Sequence, residues 1–562
     1  MSTDSDGSPH KASRVVAIAS LAVLLTTVVT VLSLRLAQQF GRLSVPPLYD
    51  DVVYFLGGVR WLNSVHQQGV LTNLYTLIDQ HAPFATLTAI VGFTLFPDGY
   101  VGPYAVNSVI VLAFLLGVAR LTWRHGLTDI ATCMIAAASV PVLWQTMTEA
   151  RPDLPWGLAL GLAVGAILHR PFLERSWRSI CILGLLCGVA ASIKPTGSPA
   201  SLACIGLTAG GKLLSDCLAA DIRTFREGVR RAGPPALLFA VAVFASAATL
   251  LGVHLVQTIQ YVLRAMIQDR DFWVIDETLL NSLLHYSIGA EGKLALNYWL
   301  WVGLALMAMR VGFALLSDRR DIGAAATVLA TILVGYLIPS LSNLKTFFFG
   351  VFFYGVFIVT MMLNFVAVMT ALDSLVSRLL LRPAWQYWLK SAIHLVPLAV
   401  AGCLFVADCI PGQIGLATAM TPDQIQDIRT ATARVWSLLQ QRSAVTPDKV
   451  PVVVFSSFYP VTSAAIELYA AQANVPLDVR GEYFIRTAEA TEQALLASDV
   501  AVISSSMPHN LPGPRMGDEL IRRTEAGAIM CLVDTIPLLT IREMRVYRRG
   551  DPGCTSTTPD SR

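Results

Sequence analysis

Long uncharged stretches alternate with short polar ones through the first 410 residues of the chain. A bilayer core needs about 20 predominantly apolar residues to cross as a helix, and eleven stretches approach or reach that length. They cover 15–34, 103–121, 127–147, 154–168, 179–193, 197–214, 235–255, 294–309, 323–341, 347–372 and 391–410. The stretches 154–168 and 179–193 are short, which calls for a locally thin membrane or surrounding protein. One further apolar run, 84–96, lies between HAP and PDG. At that length it reads as an interfacial or re-entrant helix, because letting it cross would invert every later loop.

Between the first two spans the pattern is different. Over 52–65, Val52, Phe55, Leu56, Val59 and Leu62 recur at helical spacing, with Arg60 and Asn63 on another face. This predicts an amphipathic helix along the membrane surface within a long first outer loop, 35–102. Past 410 the pattern changes again. VPVVVFSSF, DVAVISS and AIMCLVD read as buried strands, and SAAIELYAAQA and EATEQALLAS as the helices between them. Strand–helix–strand order predicts a small α/β domain with a mainly parallel sheet. The expected division is therefore a cytoplasmic N-terminal segment, 1–14, a helical membrane domain, 15–410, and an extracytoplasmic α/β domain, 411–562. The fold class is an α-helical polytopic membrane protein with a small C-terminal α/β domain.

Composition agrees with that reading. Of 562 residues, 54% are hydrophobic and 14% charged, with a mean hydropathy of +0.58. Soluble domains carry roughly 25% charge. The charge distribution sets orientation, since cytoplasmic loops collect Lys and Arg. With the N-terminus inside, the inner segments hold eighteen Lys and Arg and the outer ones nine. An odd number of spans then puts the C-terminal domain outside, in the setting of a plasma (inner) membrane. No basic tract is interleaved with aromatics, so nucleic acid is not a partner. The nine cysteines lack metal-ligand spacing. Cys531 and Cys554 are candidates for a disulfide in the outer domain.

The chemistry gathers on the outer side. PPLYDDVVYF places Asp50 and Asp51 together just past the first span. Acids beside a bilayer are costly unless solvated, paired or used. An Asp at a helix start also caps it, so a purely structural role stays open. TEARPDLPW adds Glu149, Arg151 and Asp153, and IKPTG adds Lys194 and Thr196. QYVLRAMIQDRDFW adds Tyr261, Arg264, Asp269, Arg270 and Asp271, and SNLK adds Asn343 and Lys345. Each alone fits loop solvation or a snorkelling cation. Together they bring carboxylates and cations to one membrane face, which suits a reaction on an anionic lipid-linked substrate.

A multi-span chain with an acidic pair in its first outer loop resembles the GT-C class of membrane glycosyltransferases. IDQHAPFATLTAIVGFTLFP is similar to the stretch following that pair in the protein mannosyltransferase and aminoarabinose transferase branch. There a His-Pro-Pro or Lys-Pro-Pro opens a surface helix ending near Phe-Gly. This chain instead has His81-Ala82-Pro83 and Phe96-Pro97, which leaves the branch and the sugar open. Asp153 at the start of the fourth span and Lys194 after the fifth also match in position.

The resemblance implies an inverting enzyme taking a sugar from a polyprenyl-phosphate donor. The acceptor would be a glycan, lipid or protein at the outer face, with membrane lipids as surroundings. Such transfer needs a base for the acceptor hydroxyl and positive charge for the leaving phosphate. Asp50 is the candidate base, with Asp51 supporting it. Lys194, Arg264, Arg270 and Lys345 are candidates for the phosphate. His81, Glu149 and Asp153 are candidates for supporting or acceptor contacts. The residues fix no cofactor; a divalent metal ion is one candidate, with Asp51 and Asp153 as the acids that would hold it. The competing class is a transporter or flippase of a lipid-linked or anionic solute. It calls for midplane charges and repeated halves, and neither is evident.

Overall fold

The computed structural model describes residues 9–549 except 48–49, 79–81, 221, 223, 253–254, 269–276, 317–318, 343–344, 346, 380–381, 410–418, 446–449, 457–458, 509–510 and 528–529. The chain forms two units: residues 1–34, 81–84 and 104–415, and residues 35–80, 85–103 and 416–562. Of the first outer loop, residues 35–80 and 85–102 group with the C-terminal region and 81–84 with the helical unit.

In the first unit each expected span contains a helix among the described residues. Among the described residues seven helices are long and apolar enough to cross a membrane, including Pro9–Gln39, Val101–Leu121 and Phe347–Arg378. Four shorter apolar helices, Leu127–Ser139, Asp153–His169, Trp177–Ser192 and Trp299–Leu315, account for the rest. The expected span 127–147 is broken: Val140 is extended, and Pro141 begins a second helix, Pro141–Thr146. Proline has no amide to continue the first helix, and its fixed φ suits the first position of the next.

The helix Phe347–Arg378 is the axis of this unit. It crosses Asp153–His169 so closely that a Cβ on Gly355 would lie 1.9 Å from the Gly157 carbonyl oxygen. A Cβ on Gly161 would lie 2.3 Å from the Gly355 carbonyl oxygen. Small residues at a helix crossing let backbones touch, and dispersion then replaces the hydrophobic drive that lipid cannot supply. Trp156, Leu160, Val164, Phe352 and Val356 fill the seam on either side. Gly355→Val should split this crossing; loss of the monodisperse peak in size-exclusion chromatography in detergent is the expected result.

In the second unit, a five-stranded sheet runs in the order β2-β1-β3-β5-β4. The strands are β1 (Val452–Phe455), β2 (Asp478–Gly481), β3 (Val500–Ser504), β4 (Met530–Pro537) and β5 (Glu543–Arg549). β1 pairs parallel with β2 and β3, whereas β3–β5 and β5–β4 are antiparallel. The sheet is thus mixed, not mainly parallel, because a β-hairpin closes it. Alternate residues of one strand face opposite layers. Val453 and Phe455 pack with Ala431, Val435 and Leu439 of the helix Pro422–Val445. Val454 packs with Leu495, Leu520 and Ile521 on the other side. Cys531 on β4 is disulfide-bonded. Its expected partner, Cys554, lies outside the described residues.

The helices of the first loop belong to this unit. Helix Asp50–Gln68 buries Val52, Phe55, Leu56 and Val59 against protein, where the sequence pattern predicted a lipid-facing stripe. Phe55 sits between Phe93, edge-on at 5.4 Å, and Tyr100, stacked at 6.1 Å. Phe93 lies on the helix Pro83–Leu95. Gly58 lets the two helices meet, since a Cβ there would stand 2.8 Å from that of Ala89. On the other side, Arg60 pairs with Glu467, and Asn63 donates to the Ala471 carbonyl at 3.1 Å. Both partners lie on or beside the helix Ser463–Gln472.

Candidate active site

The candidate residues fall in both units. In the second unit one cluster is the first turn of Asp50–Gln68, which begins with both acids. A helix start carries partial positive charge, so two carboxylates there are locally favoured. Their environments differ sharply. Asp51 is buried, and its Oδ2 lies 3.9 Å from Arg42 Nη2. Asp50 is exposed. Its charge reaches Tyr483, whose phenol is pushed above its ordinary pKa first by burial and then by Asp50. Tyr483 follows β2 and is held by the close approach of Gly513, whose amide donates to the Tyr483 carbonyl at 3.0 Å. Adjacent acids so housed can divide two tasks: a held carboxylate and an accessible one.

In the first unit a cluster centres on Asp153, buried at the start of its helix. Lys194, in the turn before helix Ser198–Ala219, forms an ion pair with it. The ammonium also lies 5.0 Å from the centroid of the Trp156 ring, a cation–π arrangement. Trp156 is fixed in turn: its Nε1 donates to Ser201 Oγ at 2.7 Å, and Phe352 packs 5.2 Å away. Gly197 is required under that ring, since a Cβ there would come within 2.3 Å of it. The short KPTG turn therefore exists to bring a lysine onto an aromatic face beside a carboxylate. Glu149 and Arg151 are buried nearby in sequence, 3.9 Å apart, and Asn107 donates to the Glu149 carbonyl at 2.6 Å.

The remaining candidates fare differently. Lys345 is 4% exposed and donates to the carbonyls of Pro339 and Ser340, at 3.2 and 2.5 Å. Its ammonium also lies 5.6 Å from the Tyr286 ring. This is a cation closing the C-terminus of the helix Arg319–Leu341, a role that satisfies orphan carbonyls. Arg264 is exposed, in the π-helical turn Arg264–Gln268. His81, Asp269, Arg270, Asp271 and Asn343 lie outside the described residues. Among the described residues no three His, Cys, Asp or Glu side chains gather as a metal site, and Asp153 is engaged by Lys194. Arg42, Trp156 and Tyr483 went unrecognised as site residues in the sequence. Trp156 had a signal, lying within the RPDLPW stretch; Arg42 and Tyr483 had none.

No protein-family profile matches the chain, and no curated protein matches it. Solved structures do. ArnT from Cupriavidus metallidurans bound to undecaprenyl phosphate superposes with a TM-score of 0.55 at 11% identity, covering 95% of this chain and 97% of that one. The apo ArnT of the same organism gives 0.52 at 13% identity over 96% and 98%. The similarity runs the length of both chains, C-terminal region included, so the fold of this chain is the fold of ArnT.

Proposed function

We propose that the protein is a membrane glycosyltransferase that moves a sugar from a polyprenyl-phosphate donor to an acceptor hydroxyl at the outer face of the membrane. The observation that carries this reading is the unequal housing of the acid pair: Asp51 is buried beside Arg42, and Asp50 is exposed at the helix start. Asp50 takes the proton of the acceptor hydroxyl as its oxygen attacks the anomeric carbon. The bond from that carbon to the phosphate oxygen breaks, and polyprenyl phosphate leaves with the electron pair. Attack opposite the leaving group inverts the anomeric centre. Asp51 with Arg42 holds the turn that aims Asp50. Lys194, with Arg264 and Arg270, balances the phosphate; Trp156 and Asp153 hold Lys194 ready.

The ArnT structure with undecaprenyl phosphate supports the donor class, and the acceptor is a glycan, lipid or protein of the cell envelope. Mass spectrometry of envelope glycans with and without the gene tests the reading directly. Loss of one sugar modification is the expected result. An unchanged glycan profile, with lipid-linked sugar accumulating on one leaflet, would mark a flippase instead.

The proposed orientation has its own test. Arg14, at the start of the first long helix, donates to the Trp123 carbonyl at 2.7 Å, so that end shares a side with the loop near Arg124. With this basic end cytoplasmic, a periplasmic-only reporter fused after Arg562 should be active. A cytoplasmic signal there would reverse the sidedness and remove the outer-face reaction.

A further inference from the structure

At the opposite end of the helical unit from Asp153 lies a cavity of about 680 Å³ that the transfer reaction does not use. Helix Leu127–Ser139 starts at this cavity, and its continuation, Pro141–Thr146, runs to the loop before Asp153. Arg124, Lys390, Thr128, Ser391 and Tyr387 line it, together with a three-residue ionic bridge. In that bridge His394 Nδ1 lies 2.6 Å from Asp129 Oδ1 and its Nε2 lies 3.0 Å from Asp373 Oδ2. Each ring nitrogen thus faces one carboxylate. The two acids of the cavity are therefore occupied by His394. Arg124 and Lys390 make no ion pair among the described residues, which leaves the lining cationic.

The surface beside the cavity is of a particular kind. Trp385, Tyr387 and Trp388 are 67%, 70% and 70% exposed on the helix Pro383–Asp408, and Leu395 one to two turns on is also exposed. Exposed Trp and Tyr at one helix end are what a headgroup boundary selects, with aliphatic side chains continuing into hydrocarbon. We propose that this cavity binds the phosphate headgroup of a membrane lipid, with Arg124 and Lys390 on the phosphate oxygens. Thr128, Ser391 and Tyr387 supply hydroxyl donors, and the acyl chains run along the aromatic and aliphatic face of Pro383–Asp408. A cation with hydroxyl donors in a partly enclosed site favours a phosphate over a carboxylate, because three terminal oxygens can be satisfied at once. The face of exposed apolar side chains favours a lipid over a soluble phosphate ester.

The full chain in phosphatidylcholine nanodiscs, titrated with a photo-crosslinkable phosphatidic acid, tests this. Mass spectrometry should locate the crosslink on residues 385–395. The Arg124→Gln/Lys390→Gln variant should weaken capture about twenty-five-fold, or about fivefold for each cation removed. Lys390→Arg should retain capture. Were the double variant to aggregate, the single Lys390→Gln carries the same expectation at about fivefold. Capture by the variants at wild-type affinity would overturn the site. Displacement of the lipid by inorganic phosphate at comparable concentration would overturn the lipid assignment in favour of a soluble phosphate ester.

Discussion

Replacing Asp50 by Asn should lower sugar transfer by about 10²–10⁴-fold, the usual cost of losing a positioned general base. Asn keeps the size and hydrogen-bonding capacity of the side chain but cannot accept the proton. Because Asp50 is exposed, the variant should fold as the wild type does. Asp51→Asn acts on a different part of the machine. It neutralises a buried carboxylate near Arg42, and its expected signature is about 1–3 kcal/mol of lost stability with a smaller loss of turnover. Both residues also stand in the first turn of a helix, so capping is the competing account. Asn caps as well as Asp does, and under that account either variant loses only tenths of a kcal/mol and keeps its rate. Transfer assays on purified, membrane-inserted variants separate the two by orders of magnitude. Near-wild-type turnover by the Asp50→Asn/Asp51→Asn double variant would end the proposed mechanism.

The parts of the fold that were legible in the sequence are those where one strong physical demand writes itself into composition. Hydrocarbon excludes charge, so the apolar helices could be read from runs; among the described residues seven are long enough to cross a membrane, and 154–168 and 179–193 fall on shorter ones. The break at Val140–Pro141 was hidden because the apolar run continues through it. β5 was missed for the opposite reason. EMRVYRR looks like a surface segment, yet it pairs with both β3 and β4. Arg545 pairs with Glu543 at 2.9 Å and with Glu525, so charge coexists with a central position. Adding β5 also turned an expected parallel sheet into a mixed one. At the site, the acid pair was visible because paired acids beside a bilayer demand a reason. Its inequality was not, since only packing decides which neighbour is buried beside Arg42. For Lys345 the sequence showed a cation near a span end but not its contacts with two backbone carbonyls, which only tertiary structure supplies.

Lys194 carries the second large effect, and the structure changes how it must be tested. Because Asp153 is buried and paired with Lys194, Lys194→Ala leaves a buried carboxylate without its cation. Breaking a buried pair from one side costs about 3–5 kcal/mol, a large share of the stability of most folded domains. A dead Lys194→Ala enzyme would therefore say nothing about donor binding. Removing both charges is different, since an apolar or neutral replacement of a buried pair is often close to neutral. Asp153→Asn/Lys194→Met should thus recover most of the unfolding temperature lost by Lys194→Ala, with the methionine still lying on Trp156. Its transfer rate should not recover. A hydrogen bond from a cation to a charged oxygen is worth about 1.5–3 kcal/mol, so kcat/KM at limiting donor should stay about 10–150-fold down. Lys194→Arg should keep both the fold and part of the rate, because it keeps the charge. Thermal unfolding in detergent and donor-limited kinetics on these variants separate scaffold from chemistry. If the double variant regains wild-type stability and wild-type transfer together, Lys194 serves only to neutralise Asp153, and the phosphate must be held by other cations.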